Sequence, residues 1–394
     1  MNQRLSEIKR ILKIELPENP IKKSGAVFLW GPRQTGKTTL LGQQFPNALS
    51  FDLLDSDLAT DLTLRPKLLR EKILANERNK VIVIDEIQKV PELLDEVHWL
   101  LENTNKKIIL CGSSARKLKR QAHNLLGGRA IEYFLFPLVT HELKNFDLDR
   151  ALSCGCLPIH YLSKNPKKLM KAYLNNYIKE EIIDEALTRN IPSFARFLAS
   201  VSFTHGSLIN YANIARDVGV SSSTIRNYYQ ILIDTLVGYE LEPWRKAKNR
   251  RLIETAKFYM FDVGVARYLM PPVQETIPGT DSYGNIFEHF LINEIKAYLS
   301  YNDSDLPLAF WRTSSGFEVD LILGDMDVAL EFKSTNSLKT DHLKGITALR
   351  DEYNVKRSIV VSRDETHRKT EDGIECMHWK RFVTQLWNNE ILKS

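Results

Sequence analysis

The sequence predicts an α/β chain in which a parallel-sheet domain carrying a phosphate-binding loop precedes a helical linker, a helix-turn-helix and a second α/β domain. Three observations predict it. The apolar run Ala26–Trp30 leads into Gly31-Pro32-Arg33-Gln34-Thr35-Gly36-Lys37-Thr38-Thr39 and then a leucine-containing helical pattern. The run Val81–Ile84 ends in Asp85-Glu86. Near the C-terminus two short apolar segments carry Asp320 and then Glu331 and Lys333. The expected divisions are an amphipathic N-terminal helix over 1–22, the phosphate-loop domain over 23–150, the linker over 151–202, a winged-helix unit over 203–272 and the last domain over 273–394.

In the first domain, Gly31 and Gly36 permit a tight backbone path whose amide groups, with the following helix N-terminus, face phosphate. Lys37 reaches the outer phosphates and Thr38 offers a hydroxyl to magnesium. Pro32, Arg33, Gln34, Thr35 and Thr39 complete the cradle, and the implied cofactors are ATP and Mg2+. Four consecutive β-branched residues, Val81 to Ile84, fit a parallel strand buried on both faces. Ligands bind at the C-terminal ends of such strands, so Asp85 is assigned to magnesium and Glu86 to activation of the attacking water. A third run, Lys107–Gly112, ends in Ser113-Ser114; Ser113 either senses the γ-phosphate or simply caps a strand-to-helix turn. Asp52, after a short strand-like segment, is a peripheral candidate.

Composition restricts the remaining classes. With 394 residues, 43% of them hydrophobic, the chain has room for two or three domains. It contains no apolar run near the roughly 18 residues needed to cross a bilayer, so no membrane partner is expected. The N-terminus alternates charge with Ile and Leu instead of presenting the continuous apolar stretch of a signal peptide. Cys111, Cys154, Cys156 and Cys376 form neither a disulfide framework nor a zinc pattern, and a reducing cytoplasm is the expected compartment. A net charge of +5 is too mild to imply nucleic-acid binding by itself. Two local clusters matter more: Arg116, Lys117, Lys119 and Arg120, and then Arg245, Lys246, Lys248, Arg250 and Arg251.

The middle of the chain reads as helical from Leu169 to about Ser202, with Tyr173, Ile178, Ile182, Ile183 and Leu187 spaced for one buried face. Residues 208–229 read as two helices joined at Gly219, with Ser221 or Ser222 capping the second. Ser223, Arg226 and Asn227 are exposed on that second helix, where they suit either a DNA groove or a solvated face of a packing module. Between two apolar runs, residues 240–260 suggest a hairpin wing. Its Arg245, Lys246, Lys248, Arg250 and Arg251, beside Trp244, are the candidates for contact with a nucleic-acid backbone.

In the last domain, Phe317-Glu318-Val319-Asp320 opens one strand and Val328 to Lys333 forms the next. Side chains alternate along a strand, so Glu331 and Lys333 point the same way. The spacing from Asp320 to Glu331-x-Lys333 resembles that of the restriction-endonuclease-like nuclease core. There Asp320 and Glu331 would hold magnesium, Lys333 would orient or deprotonate water, and Glu288, on a preceding amphipathic helix, would join as a third acid. The same fold without activity would still grip a nucleic acid.

Taken together, the motifs resemble a family of AAA-type ATPases of bacteria and archaea that carry a second region of unknown function on the C-terminal side. The likeness spans nearly the whole chain. In the first half it rests on Trp30 to Thr39, Ile84-Asp85-Glu86-Ile87-Gln88, Gly112-Ser113-Ser114, and Gly127-Gly128-Arg129 with Phe136-Pro137-Leu138. In the second half it rests on Ser223-Thr224-Ile225-Arg226, Phe258 to Gly264, Phe287-Glu288 and Gly316 to Asp320. The chain departs from the family at Cys154-Gly155-Cys156-Leu157-Pro158, where two adjacent glycines and an aromatic often precede the proline. The resemblance implies ATP hydrolysis and is compatible with a homo-oligomer in which a neighbouring subunit supplies an arginine finger. Arg129 and Arg116 compete for that role, and Arg129 serves equally as a structural ion pair. DNA, RNA and a protein all stay open as the partner.

Overall fold

The computed structural model describes residues 8–19, 23–114, 130–178, 191–245, 255–269 and 279–392. It divides into two compact units, one of Met1–Leu138 with Asp234–Val237 and the other of Val139–Ile233 with Gly238–Ser394.

The first unit is built on a five-stranded parallel sheet. Its strands are β1 (Gly25–Trp30), β2 (Leu49–Asp52), β3 (Val81–Asp85), β4 (Lys107–Gly112) and β5 (Ala130–Phe134), in the spatial order β2-β3-β4-β1-β5. Helices Lys37–Gln44, Ser56–Leu64, Lys67–Leu74 and Leu93–Asn103 connect them. Both faces are covered, and β1 and β4 are accordingly near-continuous apolar runs with every residue but Lys107 buried. Phe28, Trp30, Ile82, Ile84, Leu93, Val97 and Leu110 share one core. Because β4 lies between β1 and β3, the ends of three adjacent strands converge on the loop after β1.

The expected N-terminal helix is not formed over 8–19, which contains no helical residue. The reason is local packing. Leu12 and Ile14, two residues apart, are both buried, and the backbone around them bonds to Gln44: Ile14 N donates to its Oε1 at 3.0 Å, and its Nε2 donates to Leu12 O at 2.7 Å. Alternate residues facing inward call for extended chain, and Pro17 follows. The Arg10 guanidinium donates to the carbonyls of Thr35 and Phe136, each at 2.6 Å, so this segment braces the phosphate loop from behind.

The second unit begins with helices Leu148–Cys154, Pro158–Leu162, Pro166–Ala172 and a π-helical turn Tyr173–Ile178, and continues with Ile191–Phe203. Tyr173 is buried as its spacing predicts, whereas Ile182, Ile183 and Leu187 fall outside the described residues. Helices Tyr211–Val218 and Ser222–Asp234 then meet at Gly219, whose φ of 76° is the left-handed turn that glycine allows. The Ser221 hydroxyl accepts from Thr224 N at 3.2 Å and caps the second helix.

One sheet spans the expected border near 272. Strands β6 (Gly238–Pro243) and β7 (Lys257–Met260) pair with each other as a hairpin, but β6 also pairs in parallel with β8 (Leu308–Arg312). They thereby join β9 (Glu318–Leu323), β10 (Val328–Lys333), β11 (Arg357–Ser362), β12 (Arg368–Lys369) and β13 (Glu375–His378) in one mixed sheet. Its order is β12-β13-β11-β10-β9-β8-β6-β7. Trp244, expected beside a nucleic-acid backbone, instead packs its ring edge-on to Tyr353 at 4.8 Å and donates its amide to Phe310 O at 2.6 Å. The long helix Asp281–Tyr301 and the helices Val263–Leu269, Lys344–Glu352 and Trp379–Trp387 complete the unit. No helix among the described residues is long and apolar enough to cross a membrane.

Candidate functional site

In the first unit, the loop after β1 turns into the helix Lys37–Gln44 through Gln34 at φ 65° and Gly36 at φ 96°. A Cβ on Gly31 would stand 2.6 Å from Leu135 O, so a glycine is required for the loop to pass the neighbouring chain. The buried Lys37 ammonium donates to the carbonyls of Gly31 at 2.7 Å and Pro32 at 3.2 Å, folded back along the loop it serves. Thr35 Oγ1 donates to Pro32 O at 2.8 Å. Thr38 Oγ1 donates to Asp85 Oδ2 at 2.9 Å, which brings the hydroxyl and carboxylate assigned to one metal ion into contact. A hydroxyl and a carboxylate are the hard oxygen donors magnesium takes, and the loop before them offers backbone amides and an ammonium to phosphate, so the residues fit Mg-ATP.

Glu86 follows in the left-handed region, at φ 57° and ψ 43°, a conformation costing a non-glycine residue roughly 1–3 kcal/mol. Such strain persists only where surrounding structure fixes it, and here that structure is visible. Gln88 Nε2 donates to Glu86 Oε2 and to Ser113 Oγ at 3.1 Å, and Ser113 Oγ donates to Glu86 Oε2 at 3.1 Å. All three side chains are buried. Ser113, expected at a γ-phosphate, thus bonds the carboxylate assigned to water activation. Gln88 was not singled out as a site residue because it lies in a short 3₁₀ turn, where strand alternation no longer reports orientation. Asp52 accepts from Leu54 N at 2.9 Å and serves its own turn. Arg129 and the basic cluster 116–120 lie outside the described residues, as do Lys246, Lys248, Arg250 and Arg251.

In the second unit, Asp320 on β9, Glu331 and Lys333 on β10, and Glu288 on the helix Asp281–Tyr301 come together as their spacing predicts. Lys333 Nζ lies 2.5 Å from Glu331 Oε1, and Asp320 Oδ2 accepts from Phe332 N at 2.7 Å. The structure adds three residues that sequence reasoning missed. Lys257 on β7 places Nζ 3.2 Å from Glu288 Oε1 and 2.6 Å from Glu318 Oε1, and Tyr259 OH donates to Glu288 Oε1 at 2.5 Å. The signal was present: a lysine at the head of Lys-Phe-Tyr-Met, in an otherwise apolar strand, needs an acidic partner. Burial and then the charges of Glu331 and Glu288 push the Asp320 carboxyl well above the usual carboxylate range. Burial also raises Glu331, against the pull of Lys333. Although burial opposes it, Lys257 is raised by Glu288, Asp320 and Glu318 and stays charged.

Among the described residues no group of three or more His, Cys, Asp or Glu side chains is arranged to hold a metal ion. The acids are paired with Lys257, with Lys333 and with Arg312, whose Nη1 lies 3.1 Å from Glu318 Oε2.

Glu288, Asp320 and Lys333 line a cavity of about 710 Å³ with His342 and Asn336. Asn336 also lines a larger cavity of about 1440 Å³, with Lys144, Arg363, His378 and Lys380 on its wall. Arg226, on the second helix of the helix-turn-helix, is exposed with its guanidinium 4.0 Å over the Tyr211 ring.

Residues 23–144 match the family model described as AAA domain, residues 145–275 the Domain of unknown function (DUF8612), and residues 283–382 the Domain of unknown function (DUF4143). An uncharacterized protein of Mycobacterium tuberculosis, Rv2008c, is 25% identical over 328 residues, which cover 80% of this chain and 72% of the relative. An uncharacterized protein of Haemophilus influenzae is 23% identical over 269 residues, covering 60% and 67%. Among solved structures, replication initiator DnaA bound to AMPPCP and single-stranded DNA matches at TM-score 0.26 and 15% identity, over 53% of this chain and 82% of that one. A STAND protein from Pyrococcus horikoshii matches at TM-score 0.20 and 16% identity, over 76% and 50%. At TM-scores this low the two structures say nothing about this chain's activity. The phosphate loop, the parallel sheet and the family match agree: this chain carries a P-loop domain of the AAA family, followed by two domains of unknown function.

Proposed function

We propose that the first unit binds and hydrolyses Mg-ATP and that the cycle serves a nucleic acid engaged by the second unit. The observation that carries the ATPase reading is the Thr38–Asp85 contact directly beside a buried Glu86 held by Gln88 and Ser113. Lys37 and the loop amides would bind the phosphates, and Thr38 and Asp85 would hold the metal. Magnesium, when bound, neutralises charge on the phosphate oxygens. Glu86 orients the attacking water and accepts its proton, with Ser113 and Gln88 fixing the carboxylate. Arg129, supplied by a second copy of the chain, would complete the site.

For the second unit, the reading is supported by a helix-borne acid, a strand-borne acid and the lysine of a Glu-x-Lys strand lining one cavity, which adjoins a larger one with Lys144, Arg363 and Lys380 on its wall. That wall also carries Asp149, which is engaged by Arg363 at 3.2 Å and by Tyr283 OH at 2.9 Å. Arg226 and the basic segment 245–251 supply further phosphate contacts in this reading. A second reading, in which the same domain grips without cutting, is favoured by the pairing of its acids with Lys257 and Lys333.

The test is phosphate release from ATP with magnesium, with and without double-stranded DNA, single-stranded DNA and RNA, while the same nucleic acids are run on a gel. Stimulated turnover with intact substrate supports the gripping form. Cleavage that disappears in Asp320→Ala establishes a nuclease. Turnover indifferent to every nucleic acid, with no binding, removes the nucleic-acid reading and points to a protein partner.

A further inference from the structure

In the first unit, the extended segment 8–19 is held against the helix that follows the phosphate loop. Gln44 bonds to the backbone of Leu12 and Ile14, and Gln43 Nε2 donates to Ile8 O at 3.3 Å. Between these attachments Arg10 sends its guanidinium, a planar fork of donors, to the loop itself. Its Nη1 donates to Thr35 O at 2.6 Å, and its Nη2 donates to Phe136 O at 2.6 Å and to Pro137 O at 3.4 Å. Phe136 and Pro137 lie just past β5, which pairs with β1, so the fork spans from the phosphate loop to the strand exit beside it. A Cβ on Gly36 would stand 3.5 Å from Arg10 Nη1, in van der Waals contact, so the guanidinium backs directly onto the turn.

A peptide group is planar and trans, so the Thr35 carbonyl and the Gly36 N–H point in opposite directions. Gly36 sits at φ 96°, and glycine adopts positive and negative φ about equally readily, so the turn alone does not choose which way that peptide plane faces. A cation bonded to the carbonyl chooses it. We propose that Arg10 is a positioning residue for nucleotide binding: by holding the Thr35 carbonyl it presents the Gly36 amide to the phosphates, and its second nitrogen ties that orientation to the end of β5. This role rests on the ATPase reading of the first unit and names a residue outside the phosphate loop on which that site depends. Loop amides cradle the α- and β-phosphates, which ATP and ADP share, so Arg10 acts on both nucleotides alike. The residues assigned to the attacking water, Glu86, Gln88 and Ser113, follow other strands, so turnover at saturation is preserved.

Equilibrium binding of Mg-ATP and Mg-ADP, and phosphate release at saturating ATP, are measured on the full chain as wild type, Arg10→Ala and Arg10→Lys. Arg10→Ala is expected to bind both nucleotides about ten- to hundredfold more weakly, the worth of a charge-assisted hydrogen bond, with kcat within about threefold of wild type. Guanidinium chloride at low millimolar concentration should restore binding in Arg10→Ala, whereas methylammonium chloride, which carries the charge without the fork, should not. Arg10→Lys keeps the charge and the stem but reaches one carbonyl at a time, so it should bind about tenfold more weakly than wild type, and it carries the test if Arg10→Ala does not fold. Wild-type affinity in either folded variant overturns the proposal, as does a loss confined to kcat or to ATP alone. Equal restoration by both salts reduces the role to charge and overturns the orientation argument. Wild type that binds neither nucleotide removes the ATPase reading itself, and the role of Arg10 falls with it; wild type that binds both while Arg10→Ala matches it removes only the latter.

Discussion

Thr38 Oγ1 donates to Asp85 Oδ2 across 2.9 Å, joining the first turn of the phosphate-loop helix to the end of β3. Thr38 follows β1 and Asp85 ends β3, two strands separated by β4, so their meeting depends on the strand order. Lys37→Ala should abolish ATP binding, because the buried ammonium lies along the loop that cradles the phosphates. Glu86→Gln should retain binding and lower turnover by about 10²–10⁴-fold, the usual worth of a positioned general base. Equilibrium nucleotide binding and phosphate release on the same preparations separate the two effects. Unchanged turnover in Glu86→Gln takes that residue out of the base role.

Gln88 positions Glu86, and Gly112 makes room for Gln88. A Cβ on Gly112 would lie 2.5 Å from Gln88 Oε1 and 3.0 Å from the Trp30 ring. Gln88→Ala should therefore lower kcat by roughly tenfold or more with little change in KM for ATP, since orientation and not binding is lost. Gly112→Ala should reproduce that split by pushing the same amide aside. If Gly112→Ala raises KM alone, the residue acts through the loop and not through Gln88.

The nucleotide site was legible because its chemistry is contiguous: glycines, lysine and threonine follow one strand, and two acids end another. Gln88 was not, since a 3₁₀ turn after Glu86 resets the direction of the side chains. The cluster in the second unit was half legible for a related reason. Strand alternation gave Glu331 and Lys333, but Lys257 reaches the acids only because β6 pairs with β8, a partnership 67 residues apart at Glu242 and Ala309 that no local pattern encodes. The N-terminal segment shows the opposite failure. Ile and Leu at helical spacing suggested a helix, and tertiary packing of Leu12 and Ile14 as alternating residues overrode it.

Glu294 gives the second unit a pH dependence. Its carboxylate accepts from Thr140 N at 3.0 Å and Trp387 Nε1 at 2.7 Å, yet burial pushes its pKa up to about 7. The folded state therefore holds this proton more tightly than the unfolded chain. Between the ordinary glutamate value and about 7, the native state binds more protons, so the contribution to stability declines as pH rises and its full penalty is present above that window. A shift of this size corresponds to about 3 kcal/mol at most. Glu294→Gln keeps an acceptor without a charge and should flatten that part of the stability profile, gaining on wild type as pH rises from about 5 to 8. Denaturant unfolding at several pH values measures the difference; a constant offset between the two proteins assigns the pH dependence elsewhere.

Asp262 holds the turn at residues 154–158. Its Oδ2 accepts from Cys156 N at 2.7 Å, and its Oδ1 accepts from Gly264 N at 2.9 Å and Val265 N at 3.2 Å. The turn it caps has a single glycine, Gly155 at φ 79°, and a Cβ there would meet Asp262 Oδ1 at 2.0 Å. Gly264 is needed for the same approach from the other side, because its Cβ would lie 2.4 Å from Cys154 O. Asp262→Ala leaves three backbone donors without their acceptor at a cost of about 1–3 kcal/mol each where they stay buried, so a loss of at least about 3 kcal/mol is expected. Asp262→Asn retains an acceptor oxygen and should lose less. Gly155→Ala should match the alanine variant through strain and steric displacement of the same carboxylate. Chemical denaturation followed by tryptophan fluorescence ranks the three, and an Asp262→Ala protein within about 0.5 kcal/mol of wild type would show that water replaces the carboxylate at those amides.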